Sequence, residues 1–323
     1  MPPFLARPAF DGGMLDVGDG HRIAWEVSGS PQGKPAVVLH GGPGAPLRGG
    51  RRMFDPDTYL VVELDQRQCG RSTPHAAEPV VDLSANTTAH LVADLERLRK
   101  HLGIDRWLVW GGSWGTLLGL VYAQAHPERV SEMVLTSVVG SSRADLTWIT
   151  RAMGRLFPAQ WERFRDAVPP ADRDGDLAAA YARLLQDPDP AVHEPAALAW
   201  CEWEDTHVAT VPGRTPDPRY ADSRFRLCFA RLVTHYWSNG CFVEDDQVLR
   251  DASRLAGIPI VMVHGQLDVS GPLDNAWRLS KVLPDAELVV IADEGHGASG
   301  TMLDAILAAT NRFASRSGGS ATR

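Results

Sequence analysis

A serine between closely spaced glycines is the first feature of this sequence that could do chemistry. The segment Gly111–Gly115 (GGSWG) has the form G-x-S-x-G, follows the apolar segment Trp107–Trp110 and opens a segment of helical pattern. A serine on a sharp strand-to-helix turn is held in a strained conformation, and the flanking glycines remove side chains that would collide. We predict that Ser113 is a nucleophile. A glycine-rich turn without chemistry is the alternative.

A serine nucleophile needs a base and a carboxylate that orients the base, and here the carboxylate should precede the histidine in the chain. Asp268 follows a late apolar segment, and His296 lies in a glycine-flanked loop after the last one. Sites of open α/β sheets lie at the carboxyl ends of the strands, which suits both positions. We therefore predict a triad of Ser113, Asp268 and His296. Two rivals fit less well, because Asp274 lies further into a predicted helix and His264 precedes the carboxylate.

The oxyanion of a tetrahedral intermediate needs two backbone N–H donors. Trp114 follows the nucleophile and is one candidate donor, and Gly42 in the loop His40–Gly44 (HGGPG) is the other. A phosphate-binding loop is the competing interpretation, but no G-K-[ST] follows and no helix clearly begins there.

In the loop after the next strand, Asp65 and Arg67 could brace the site, and a solvated turn is equally compatible with their sequence.

The elements that must position these residues alternate between short apolar strands and helices. Apolar strands separated by helices imply a parallel sheet covered on both faces. The predicted strands are 21–27, 35–39, 59–64, 107–110, 132–135, 258–263 and 287–291, and the predicted helices are 87–102, 114–124, 273–282 and 301–313.

The alternation stops between residues 140 and 245, where helical segments rich in Trp, Ala and Arg follow one another. Five of the ten tryptophans fall in this stretch, and we interpret them as helix-packing core. We predict one α/β domain, residues 1–139 and 246–323, into which residues 140–245 insert as a helical cap. The Gly/Ser-rich tail, residues 315–323, is predicted to be disordered.

The composition of the chain disfavours several kinds of partner and site. The 323 residues include 32 Lys and Arg against 40 Asp and Glu, and the formal net charge of −8 disfavours nucleic acid as a partner. No apolar run approaches the roughly 18 residues of a membrane span, and the first residues lack a signal-peptide pattern, so we expect a cytoplasmic protein without a membrane partner. The four cysteines form no C-x-x-C pair, so we expect free thiols and no zinc site, and Cys69 is not a candidate nucleophile.

Five segments resemble, in order, the motifs of the proline iminopeptidases. They are 40–44 (HGGPG), 65–72 (DQRQCGRS), 111–115 (GGSWG), 265–272 (GQLDVSGP) and 294–296 (EGH). The resemblance implies an α/β-hydrolase fold with a mostly parallel eight-stranded sheet and an inserted helical cap. It also implies release of an N-terminal residue, typically proline, without a metal or cofactor.

The resemblance implies roles for individual residues, with Ser113, Asp268 and His296 as the triad. The segment Trp200–Glu204 (WCEWE) is similar to the family's W-x-x-W-E, whose glutamate holds the free amino group of the substrate. Glu204 is thereby implied as an ammonium anchor, and a carboxylate in an apolar, Trp-lined pocket would select a charged amine. An exposed helix glutamate in a salt bridge is the alternative.

Four positions depart from the family pattern. Val233 stands where a second glutamate is usual, Thr136 and Gln266 replace arginines, and Gly271 replaces a cysteine.

We predict a serine hydrolase that cleaves an N-terminal proline or other small residue from small peptides or amides. The alternatives are a hydrolase of a different amide or ester, as in a biosynthetic pathway, and a non-catalytic ligand-binding relative.

Overall fold

The computed structural model describes residues 2–46, 49–211, 215–297 and 300–315. Eight strands form one sheet in the order β1-β2-β4-β3-β5-β6-β7-β8. The pairs β1/β2 and β2/β4 are antiparallel, and all the other neighbours are parallel. The predicted mostly parallel eight-stranded α/β-hydrolase sheet is confirmed. The strands are β1 (Asp11–Gly18), β2 (His21–Gly29), β3 (Lys34–Leu39), β4 (Tyr59–Leu64), β5 (Trp107–Gly112), β6 (Val130–Thr136), β7 (Ile260–Gly265) and β8 (Glu287–Ile291).

Strand β1 is the one strand among the described residues that the apolar pattern did not predict. Its sequence, DGGMLDVG, is rich in Gly and Asp, which strands otherwise avoid. It lies at the edge of the sheet, where Met14 pairs with Ala24 of β2. The hydrogen bonds of a neighbouring strand therefore decide its conformation, and its own residues do not.

Helices cover both faces of the sheet. Leu95 of α1, Leu118 of α2 and Leu279 of α9 belong to the apolar core on one face, and Ile306 of α10 to that on the other. Among the described residues, no helix is long and apolar enough to cross a membrane. The helices are α1 (Thr88–His101), α2 (Trp114–Ala125), α3 (Arg143–Thr150), α4 (Pro158–Asp166), α5 (Leu177–Gln186), α6 (Pro190–Val208), α7 (Ser223–Ser238), α8 (Gln247–Arg250), α9 (Leu273–Val282) and α10 (Gly300–Ala314).

Helices α3 to α7, between β6 and β7, share an apolar core of their own. Phe164 stacks on Tyr181 and on Trp203, with ring centroids 4.8 Å and 5.3 Å apart, and Trp200 meets its edge. Trp200 and Trp203 are thus core residues, as expected, whereas Trp237 lines the pocket beside Ser113. The cap boundaries at residues 140 and 245 stay a prediction. Of the predicted disordered tail, all but Ser315 lies outside the described residues.

Candidate active site

The serine turn joins the end of β5 to the first residue of α2. Ser113 has φ 54° and ψ −124°, a conformation that L-residues adopt at a cost. A Cβ on Gly111 would lie 2.4 Å from the carbonyl oxygen of Gly115, and one on Gly115 would lie 2.1 Å from that of Leu39. Because neither space can hold a side chain, the two glycines are what allows β5, the turn and the neighbouring strand to pack this tightly.

The structure brings Ser113, Asp268 and His296 into one hydrogen-bonded chain. His296 Nε2 lies 2.9 Å from Ser113 Oγ, and His296 Nδ1 lies 2.9 Å from Asp268 Oδ2. The Gly271 amide donates to the other carboxylate oxygen at 2.8 Å. Burial opposes ionisation of Asp268, but the charge and hydrogen bond of His296 and the Gly271 amide hold its pKa below the usual value. An ionised Asp268 orients the imidazole with Nε2 free to accept the serine proton.

The rival residues occupy different places. Asp274 lies in the first turn of α9. His264 is buried at the end of β7, where Nδ1 accepts from the Val138 amide at 3.1 Å and Nε2 donates to the Gly271 carbonyl at 2.8 Å. Both of its nitrogens are thus engaged, so His264 ties the loop after β6 to the loop that carries Asp268.

The two segments predicted to stabilise an oxyanion both adjoin Ser113. Trp114 is the first residue of α2, and Gly42 lines the same pocket as Ser113 and Trp114. Gly42 has φ 112°, and a Cβ on Gly41 would lie 3.3 Å from the Ser113 Cβ. The loop after β3 therefore runs against the serine with only hydrogen atoms between them.

Sequence reasoning missed Gln66, which connects these two segments. Its buried side-chain amide donates to the His40 carbonyl at 2.9 Å and accepts from the Trp114 indole Nε1 at 2.9 Å. Its backbone amide also donates to His40 Nε2 at 3.0 Å. The available signal was its position inside the 65–72 motif, between two residues that were singled out.

Asp65 and Arg67 do not form the solvated turn that was the alternative, and their hydrogen bonds brace the loop that carries Gln66. Both are buried. Arg67 forms a two-pronged ion pair with Asp94 at 2.6 and 2.9 Å, and Asp65 accepts from the Arg71 amide and Nε. They secure the loop, while the residue between them reaches toward the serine.

Ser113 lines a small pocket. Its walls are mostly apolar, and Ser270 and Gly271 from the Asp268 loop complete them. A substrate group held here would be a compact, largely apolar one. The apolar side chains include those of Leu117, Val139, Leu146, Ile149 and Trp237.

Glu204 is buried on α6, contrary to the alternative of an exposed glutamate in a salt bridge. Oε1 accepts from the Trp200 indole at 3.2 Å, and Oε2 lies 3.5 Å from His207 Nε2. No lysine or arginine of the described chain pairs with it. Burial raises the pKa of Glu204 to about 7, against the opposing charge of His296 and the Trp200 hydrogen bond. A carboxylate near its midpoint at neutral pH therefore lies within electrostatic reach of the triad histidine.

The four departures from the family pattern lie in different environments. Val233 is fully buried in the core of helices α3 to α7, and Thr136 is buried at the end of β6. Gln266 is exposed. A Cβ on Gly271 would lie 3.0 Å from Val139 Cγ1 and 3.9 Å from Asp268 Oδ2, so this position adjoins the triad.

Within the described ranges, no group of three or more His, Cys, Asp or Glu side chains is arranged to hold a metal ion. The four cysteines are buried free thiols. Burial raises the pKa of Cys69 well above its usual value, which disfavours the nucleophilic thiolate.

Comparison with known proteins agrees with this architecture. A family model for the alpha/beta hydrolase fold matches residues 34–301. The crystal structure of a proline iminopeptidase from Mycobacterium smegmatis, at 22% identity, superposes with a TM-score of 0.60 and covers 94% of this chain and 97% of that one. Fold and family match together define the protein as an α/β hydrolase.

Two relatives show which family of α/β hydrolases the chain belongs to. A probable proline iminopeptidase of Streptomyces coelicolor is 54% identical over 310 residues, which cover 94% of this chain and 95% of that protein. A proline iminopeptidase of Xylella fastidiosa is 46% identical over 308 residues, covering 94% and 96%. The chain belongs to the proline iminopeptidase family of serine hydrolases, which confirms the family predicted from its motifs.

Proposed function

We propose that this protein releases an N-terminal proline or other small residue from small peptides or amides, with Ser113 as nucleophile. Ser113 Oγ attacks the carbonyl carbon while its proton passes to His296 Nε2, and the imidazolium then protonates the departing amine. Water, deprotonated by the same nitrogen, cleaves the acyl-enzyme and restores the serine. The 2.9 Å separations along Ser113, His296 and Asp268 are the observation that carries this proposal.

The backbone amides of Gly42 and Trp114 are the proposed donors to the oxyanion. Their support is the approach of the loop after β3 to Ser113 and the position of Trp114 at a helix N-terminus, where developing negative charge is favoured. Gln66 is hydrogen-bonded to both segments and is proposed to hold the two donors in a fixed relative position.

Glu204 is proposed to bind the protonated amino group of the substrate. Glu204 is a buried carboxylate without a lysine or arginine partner among the described residues, and a substrate ammonium would compensate its charge. Its electrostatic coupling to His296 supports a position within reach of the amine beside the scissile bond. The apolar pocket would hold the attached side chain.

A substrate panel with a Ser113→Ala variant tests the proposal. We expect wild-type protein to cleave prolyl and alanyl arylamides with a free amine much faster than their N-acetylated forms, and Ser113→Ala to be inactive yet folded. A fluorophosphonate should label wild-type Ser113 only. Activity retained in Ser113→Ala would contradict the proposed nucleophile, and failure to label would favour the non-catalytic alternative.

A hydrolase of a different amide or ester is the second candidate, and Val233 is the observation that favours it. An apolar residue fills the cap core where the family usually has a second glutamate, so the amine would meet one carboxylate in place of two. Faster cleavage of N-blocked amides or simple aryl esters than of free-amine substrates would establish this candidate.

We also propose that the enzyme works in the cytoplasm, without a nucleic-acid or membrane partner. Four buried, unpaired cysteines suit a reducing compartment, and the net charge of −8 disfavours binding to phosphate backbones. Fractionation of cells that produce the protein tests the compartment.

A further inference from the structure

Three side chains of α6 share the helix face that carries Glu204. Trp200, Glu204 and His207 are spaced at i, i+4 and i+7, so they stack along one side. The Trp200 indole donates to one carboxylate oxygen at 3.2 Å, and His207 Nε2 lies 3.5 Å from the other. The carboxylate is thus flanked by an indole one turn before it and an imidazole one turn after it.

The far edge of the His207 ring contacts the loop that carries the triad carboxylate. His207 Nδ1 is hydrogen-bonded to Ser270 Oγ. Ser270 comes two residues after Asp268 and lines the pocket that Ser113 opens onto. His207 therefore connects the glutamate of α6 to the Asp268 loop of the sheet.

His207 is fully buried, yet its Nε2 forms no hydrogen bond with any described residue. Such an unpaired buried nitrogen is costly, and the polar group that it faces is Glu204. Their separation of 3.5 Å is longer than an ordinary N–H···O hydrogen bond. The position of the ring therefore points to a role toward the carboxylate.

A neutral His207 can form a hydrogen bond with either form of Glu204, and the bond to the ionised form is the stronger because its acceptor is charged. Burial and the charge of His296 together lower the pKa of His207 to about 3, against the opposing charge of Asp268, so the ring is neutral with one N–H. Facing an ionised Glu204, Nε2–H donates to the carboxylate and Nδ1 accepts from the Ser270 hydroxyl. Facing a protonated Glu204, Nε2 accepts a hydrogen bond from the carboxyl O–H, and Nδ1–H donates to Ser270. The Ser270 hydroxyl can act as a donor or as an acceptor, so it suits both arrangements.

We propose that His207, oriented by Ser270, is a specificity-determining positioning residue that aims the Glu204 carboxylate and supports its ionised form for a substrate ammonium. The inference rests on the amine-binding role proposed for Glu204. The other charged or titratable groups around this carboxylate are His296, Asp205, Tyr220 and Cys201. None of them contacts the carboxylate oxygens within hydrogen-bond distance in the described structure, whereas Trp200 does.

The test compares the pH dependence of kcat/KM for a free-amine prolyl arylamide and for 4-nitrophenyl acetate, which has no amine. In His207→Phe the ionised carboxylate loses its donor. We expect kcat/KM for the arylamide at pH 7 to fall about tenfold, mainly through KM, and its acid limb to move up by about one pH unit. The ester, which reports His296 and Ser113 alone, should keep its profile.

Two further variants separate positioning from folding. His207→Gln places an amide N–H where Nε2 lies, and should restore most of the arylamide activity, whereas His207→Asn reaches only toward Ser270 and should not. His193→Gln, a matched buried histidine on the same helix bonded to the Asp187 carbonyl, should leave both profiles unchanged. Thermal unfolding of each variant monitors stability.

Two results would overturn the inference. Equal arylamide profiles for wild-type and His207→Phe protein would show that the imidazole does not support Glu204, and an equal loss on the ester would show a merely structural role. If wild-type protein cleaves N-acetylated and free-amine substrates equally, the amine-binding proposal itself fails, and this inference fails with it. A preference for free amines together with an unaffected His207→Phe refutes the His207 proposal alone.

Discussion

Replacing Gln66 with methionine tests whether one buried side chain aligns both proposed oxyanion donors. Methionine has nearly the same length and fills the same space, so it creates little cavity. It removes two hydrogen bonds of 2.9 Å, one to the His40 carbonyl and one from the Trp114 indole, and leaves both partners buried. At about 1–3 kcal/mol for each unpaired group, the free energy of unfolding should fall by about 2–6 kcal/mol.

The effect of Gln66→Met on catalysis depends on the two segments that lose their hydrogen bonds to Gln66. Removing one oxyanion donor outright costs about 10²–10³ in kcat, and Gln66→Met displaces the segments without deleting an N–H. We therefore expect kcat for a prolyl arylamide to fall by about 10–100-fold with little change in KM, because these donors act mainly in the transition state.

Gln68→Met is the matched control. Gln68 is equally buried in the same loop, and its amide donates to the Asp82 carbonyl at 2.7 Å and accepts from Asn86 Nδ2 at 3.0 Å. Its loss should destabilise the fold while leaving kcat nearly unchanged. Steady-state kinetics and urea unfolding of both variants measure the two effects. The reasoning is refuted if Gln66→Met keeps the wild-type kcat, or if Gln68→Met loses as much.

Three more outcomes follow from the same geometry. Asp268→Asn should lower kcat by about 10⁴ in steady-state assays, because the amide misdirects the His296 tautomer; a loss under tenfold would contradict the assigned role. The pKa of Glu204, raised from 4.5 to about 7, makes the folded state bind more protons than the unfolded state. Wild-type stability should therefore fall by up to about 3 kcal/mol as pH rises through that window, and urea unfolding of Glu204→Gln should lack this fall. Gly115→Ala should lower the free energy of unfolding by about 3 kcal/mol or more, since its Cβ would lie 2.1 Å from the Leu39 carbonyl oxygen; unchanged urea unfolding would exclude this clash.

The class of fold and the order of the triad residues along the chain could be predicted from local sequence patterns. Alternation of apolar strands with amphipathic helices is a local pattern, and it predicted seven of the eight strands close to their observed bounds. The serine turn is partly local, because a Cβ on Gly111 would clash with the Gly115 carbonyl oxygen of the same turn, whereas the need for glycine at 115 comes from Leu39 of the neighbouring strand β3. Such patterns can be recognised in the sequence because residues that are close together in the chain produce them.

The tertiary structure decided which polar residues meet. Asp65, Gln66 and Arg67 are neighbours in sequence, yet only the middle one bonds to the loop after β3 and to Trp114, since the direction of each side chain depends on how distant strands and helices pack. Glu204 and His207 lie more than 60 residues before Asp268, and nothing in their own segment states that they are buried beside its loop. Strand β1 shows the same dependence, because its hydrogen bonds come from β2. Burial and contact between separated segments are properties of the packed fold, so the residues that tune this site became visible only there.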